Sequence, residues 1–232
     1  AANLLQADLP PDAEGLFQRY RKRKGKELRD RLASFLFARF PLLDPDRLLN
    51  ALAGTAGLAF TPVGFALWAA VLAVGAYFAA ASWGGLAREG QEMLEPGRLV
   101  AALPLMYAAF VLAKLVHEFS HALACKRLGR ASAGGGEVHE MGVMLLVLAP
   151  MPYVDASSAW SLRSKLHRTI IGAAGMMAEL ALAAGAVIVW SATADAAEPW
   201  QRAAHALCYQ VTIIASLATV VFNANPLLRF DG

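Results

Sequence analysis

Four stretches of this sequence are long and apolar enough to cross a lipid bilayer, and that leaves the chain few architectures to choose from. A helix crossing a hydrocarbon core of about 30 Å needs roughly 20 mostly apolar residues. Residues 60–82, 99–125, 169–192 and 203–222 all meet this, and the glycines and prolines in and between them are tolerated in membrane helices. The chain as a whole is 57% hydrophobic and 17% charged, against about a quarter charged in ordinary soluble domains. The excess is concentrated in the four runs. The expected fold is an α-helical integral membrane protein with four transmembrane helices.

The charges between the runs orient them. Ten of the 21 Lys and Arg residues precede residue 50, most densely in Arg19-Tyr20-Arg21-Lys22-Arg23-Lys24-Gly25-Lys26. That block, Lys126, Arg127 and Arg130, then Arg163, Lys165 and Arg168, and finally Arg229 fall on one side of the expected bundle. Arg88, Glu89, Glu92, Glu95, Arg98, Asp195, Glu198 and Arg202 fall on the other and are balanced or acidic. The positive-inside bias then puts both termini in the cytoplasm, with the basic block against the anionic inner leaflet. No nucleic-acid partner is expected, because the basic block comes with no readable recognition element. Cys125 and Cys208 form neither a CxxC pair nor a disulfide framework and read as small hydrophobes.

Outside the runs, Leu28, Leu32, Phe35, Leu36 and Phe40 recur at helical spacing, so residues 13–40 are expected as a basic amphipathic helix. It lies either on the membrane surface or in a small cytoplasmic subdomain. Asp44-Pro45-Asp46 should open a short helix ending near Ala56. Residues 133–155 contain an apolar piece too short to span, whose length and β-branched content predict an inserted strand-like or re-entrant loop. Irregular backbone at membrane depth needs protein or a watery cavity around it, so this loop should pack near any active site. The chain thus divides into a helical segment 1–57, a first span with its loop 58–97, and a three-span core 98–232. It stops at Asp231-Gly232, which reads as part of a longer protein.

The chemistry is concentrated in His117-Glu118-Phe119-Ser120-His121. Positions i and i+4 share one helix face, so two imidazoles can converge on one ion while Glu118 takes a proton from water held there. Two histidines and an acid inside a membrane helix are expensive unless they face a polar partner or cavity; the bland alternative is a hydrogen-bonded pair without metal. A catalytic zinc ion, Zn2+, wants a third protein ligand and one open position. His139, Glu140, Asp155, His167, Glu179, His205 and Asp231 are the candidates. Of these, His167 lies in a basic surface run and His205 at the outer end of the fourth span. Glu179 sits deep in the third span and is at least as well explained as an acid paired within the bundle. Asp231 follows the fourth span on the same side as the two histidines, after an Asn225-Pro226 break that lets the chain turn back.

His117-Glu118-Phe119-Ser120-His121 in a membrane helix, followed a span later by Asn225-Pro226-Leu227-Leu228 and Asp231-Gly232, resembles the site-2 protease family of intramembrane zinc metalloproteases. The stretch Pro150-Met151-Pro152-Tyr153-Val154-Asp155 and the ending 222–232 are more particularly similar to bacterial members described as peptide zinc metalloproteases. The resemblance covers about residues 98–232. It implies zinc held by His117, His121 and Asp231, Glu118 as catalytic base, and Asn225 holding substrate backbone or orienting the site. It also implies a bacterial cytoplasmic membrane and a protein or peptide substrate associated with it. No PDZ-like domain separates the spans, so the gating of relatives that carry one does not transfer. Residues 134–155, with Gly142, Pro152 and Tyr153 as contact residues, are expected to align an extended substrate by strand-like pairing. Two rival functions stay open. One is peptide export or maturation by the same zinc site, joined to a fused or separate export or membrane-fusion-type region. The other is a non-hydrolytic metal-binding scaffold or metal transporter, for which Glu118 would have no use.

Overall fold

The computed structural model describes residues 38–130, 136–146, 149–195 and 197–219, with the side chains of all but Thr55 and Ala56. In chain order the elements are strand β1 (Arg39–Leu43), helices α1 (Asp46–Thr55), α2 (Pro62–Ala81), α3 (Trp83–Met93) and α4 (Pro96–Arg130), strands β2 (Met141–Leu146) and β3 (Ala149–Val154), and helices α5 (Lys165–Ala192) and α6 (Pro199–Leu217). Short 3-10 turns precede α2 and α5. Two compact units divide the chain, Ala1–Arg39 with Met144–Pro150 and Phe40–Val143 with Met151–Gly232. In the smaller, the Leu145 N–H donates to the Ala38 carbonyl at 2.8 Å. The candidate site lies in the larger.

Among the described residues three helices, α2, α4 and α5, are long and apolar enough to cross a membrane, which marks the chain as a membrane-embedded helical protein. Each closely follows an expected run. α2 starts where Thr61 Oγ1 accepts from the Gly64 N–H at 3.1 Å and Pro62 fills a first-turn position with no N–H to satisfy. Only 6% of its apolar window is buried, so its Val, Leu and Phe side chains point outward, as suits hydrocarbon and not water. The 35 residues of α4 run about 52 Å at 1.5 Å each. That exceeds a bilayer core and leaves room for Arg127 and Arg130, in its last turn, to stand outside it. The fourth expected run is helical from Pro199 to Leu217, opened by a reciprocal capping pair of Glu198 and Gln201; its end at 222 lies outside the described residues.

α5 is the central helix. It packs against α2, α4 and α6, and 44% of its apolar window is buried. Trp68 of α2 donates its indole N–H to the Met177 carbonyl of α5 at 2.8 Å, and Ser82 and Ser191 meet at 3.2 Å. These side-chain bonds join two helices that have no hydrophobic drive to associate in lipid. At the basic end of α4, Lys126 pairs with Asp46 and Arg130 with Asn50, which ties α1 across it. The Lys126 ammonium holds the Asp46 carboxyl below its ordinary range.

The amphipathic helix expected over 13–40 falls outside the described residues except at its end, and there the chain is not helical. Arg39–Leu43 is a strand. Pro41 accounts for the change, since the residue before proline is pushed out of the α region towards extended backbone. The expected helix start at Asp44-Pro45-Asp46 is present, with Asp44 Oδ1 accepting from the Asp46 N–H at 2.9 Å. The strand-like character expected for the 133–155 loop is present as β2 and β3, in a sheet of order β1-β2-β3. The partnership with β1 had no local signature.

Candidate metal centre

His117 and His121 stand one turn apart on α4, and both turn towards α5. Their rings meet edge to face with centroids 4.6 Å apart, and the two Nε2 atoms are 2.9 Å from each other. The opposite nitrogens determine the tautomers. His121 Nδ1 lies 2.7 Å from the Ile171 carbonyl, which only accepts, so this nitrogen carries the proton. His117 Nδ1 lies 3.1 Å from Glu179 Oε1 and donates to that carboxylate. The two Nε2 atoms then face each other. A pair of imidazole nitrogens 2.9 Å apart holds either a proton, as an N–H···N hydrogen bond, or, once opened slightly, a divalent metal, for which imidazole is a common ligand.

The opposite wall comes close to both rings. Gly175 of α5 faces both rings, and a Cβ there would lie 2.5 Å from His121 Nε2 and 2.6 Å from His117 Nε2. On α5 the Ile171 carbonyl, Gly175 and Glu179 follow one another at four-residue intervals, so one stripe supplies an acceptor, a hollow and a second acceptor. Two nitrogens on a tetrahedral zinc at roughly 2.0–2.1 Å stand about 3.4 Å apart, which the pair reaches by opening a few tenths of an ångström. The donor chemistry therefore fits a zinc ion as far as two ligands go. Among the described residues no group of three His, Cys, Asp or Glu gathers to hold a metal. Asp231 and Asn225 lie outside the described residues.

Four of the other candidate ligands are engaged elsewhere. His139 contacts Asp44 at 3.1 Å, Tyr153 donates its hydroxyl to Glu140, Asp155 Oδ1 accepts from the Ser157 N–H, and His205 Nδ1 faces the Trp190 carbonyl at 3.0 Å. Glu179 pairs within the bundle, with Lys114, His117 and Thr219. Sequence alone did not identify His117 as one of its partners.

The His139 contact predicts a pH window. Asp44 is held below its ordinary range, first by the Asp46 N–H and then by His139, and His139 is held above its usual 6.5 by Asp44. The contact is present between these two values. It disappears as pH falls through the lowered carboxylate value, and again as pH rises through the raised imidazole value. An NMR titration should place the His139 midpoint above 6.5, with Asp44→Asn bringing it back down. A midpoint of 6.5 in the unaltered chain would rule the pairing out.

Glu118 points to β3, where its Oε2 accepts from the Val154 N–H at 3.2 Å. The hairpin is thereby docked beside the candidate base. Pro152 and Tyr153 are buried just before this contact. Gly142 is buried in β2 against the Phe40 carbonyl, which occupies the space a Cβ would need, so strand packing already accounts for glycine there. An apolar cavity of about 550 Å³ lies between α2, α4 and α5, lined by Phe60, Phe65, Trp68, Ser120, Ala174 and Met177 among others. Ser120 and Ala174 are the chain neighbours of His121 and Gly175.

Sequence reasoning missed Gly175, the Ile171 carbonyl and the Val154 N–H. The one available sign was Gly175 four residues before a lone acid in an apolar run. No family model, no curated protein and no solved structure matches this chain, so the geometry around His117 and His121 carries the functional reading.

Proposed function

We propose that this chain is an intramembrane zinc metalloprotease of the site-2 protease kind, hydrolysing a peptide bond of a membrane-associated protein or peptide near the cytoplasmic side of a bacterial inner membrane. The observation that carries this reading is the pair of Nε2 atoms 2.9 Å apart on a membrane-length helix, with Glu118 in between in sequence. His117, His121 and Asp231 hold the zinc, the fourth expected span returns Asp231 to the site, and both termini are cytoplasmic. Bound zinc acidifies a water and polarises a carbonyl. Glu118 accepts the proton and returns it to the leaving amine. Water enters from the cytoplasm, since hydrolysis consumes it and lipid supplies none.

The hairpin supports a role in aligning substrate. Asp155 donates towards Glu140 and Val154 donates the opposite way to Glu118, so alternate residues of β3 face away from β2. An extended substrate pairs along that outer edge of β3.

The test is metal removal. Membrane vesicles carrying the full chain are stripped of zinc with a chelator and then reloaded, and new peptide ends in co-reconstituted single-span proteins are counted by mass spectrometry. Cleavage should disappear with zinc and return with it. Cleavage that survives complete zinc loss would sink the proposal. Exchanging Asp231 for Ala should lower the zinc content, and an unchanged content would remove Asp231 as the third ligand.

A further inference from the structure

Glu179 is fully buried in an apolar helix, and its setting goes beyond what burial alone requires. Its Oε1 receives the Lys114 ammonium at 3.0 Å and His117 Nδ1 at 3.1 Å, and its Oε2 receives the Thr219 hydroxyl at 2.7 Å. A buried acid and ammonium can neutralise each other without a histidine, and apolar residues in their place often serve stability as well or better. The pair is instead directed at the outer nitrogen of one candidate ligand. The neighbouring ligand, His121, receives equivalent treatment from the Ile171 carbonyl of the same helix.

We propose that Glu179 is a positioning residue of the metal centre. It fixes His117 as the Nδ1–H tautomer with Nε2 aimed at the ion, while Lys114 and Thr219 hold the carboxylate in place. Outer-shell acceptors of this kind orient the ring and raise its basicity. This rests on His117 and His121 being zinc ligands.

Two double variants of the full chain separate the acceptor from the charge pair. Lys114→Met with Glu179→Gln removes both charges and keeps an oxygen for His117; Lys114→Met with Glu179→Leu removes the oxygen too. Zinc affinity is read by chelator competition and ligand geometry by the visible spectrum of the cobalt-substituted protein. The Leu pair should bind zinc roughly 10- to 100-fold more weakly with an altered cobalt spectrum, and the Gln pair should stay close to the unaltered chain. Equal behaviour of the two pairs, whether both intact or both impaired, overturns the assignment. Nitrogen NMR of His117 in the metal-free, unaltered chain gives a check that needs no variant to fold: Nδ1–H is expected, and Nε2–H overturns the proposal. If His117→Ala binds zinc as well as the unaltered chain does, the zinc reading itself has failed, and not only this addition to it.

Discussion

Replacing Glu118 by Gln should leave zinc bound and cut peptide hydrolysis by roughly 100- to 10,000-fold, the range over which a positioned proton acceptor acts. The substitution preserves shape, so the packing of α4 that turns His117 and His121 towards α5 is undisturbed. Neither histidine relies on Glu118 for its outer hydrogen bond, since those go to Glu179 and to the Ile171 carbonyl. Docking of the hairpin is also preserved. The Val154 N–H that reaches Glu118 Oε2 at 3.2 Å can be accepted equally well by a carboxamide oxygen. What a carboxamide cannot do is take up a proton at neutral pH. Zinc content measured beside cleavage in the same preparation therefore isolates proton transfer. Unchanged cleavage would remove Glu118 as the base, whereas zinc loss would mean that it supports the site in another way.

The parts of this molecule legible in the sequence were those encoded locally. The apolar runs announced α2, α4 and α5 because length and hydropathy are all that crossing a bilayer demands. His117 and His121 were readable as a pair because four residues make about one helical turn. The strand β1 was not readable, because Pro41 follows a helical pattern and its strand partner lies about a hundred residues away. Glu179 and Lys114 were each visible as a charge in an apolar run, but a run does not tell which charges meet. Their meeting depends on α4 and α5 packing closely enough that His117, Lys114 and Glu179 share one contact. Gly175 was one glycine among 19 until the helices were placed.

Gly175 carries the second large effect, on metal binding. Changing it to Ala should weaken zinc binding about 5- to 150-fold, the equivalent of the roughly 1–3 kcal/mol that overpacking costs. The added Cβ would lie 2.5–2.6 Å from both Nε2 atoms, closer than carbon and nitrogen can sit, so something must move. The rings are poorly placed to yield, because each is held at Nδ1 by a group on the same helix that carries the new methyl. Rotating either ring breaks that bond, and moving α5 away breaks both. Gly172, one turn earlier on α5, provides the control, since a Cβ there meets nothing within 4 Å. Gly172→Ala should keep full zinc affinity and stabilise α5 slightly, as Gly to Ala does in an open helical position. Chelator competition on both variants decides the matter. Equal affinities would mean that the metal does not sit between the two imidazoles and Gly175, whereas loss confined to Gly175→Ala places it there.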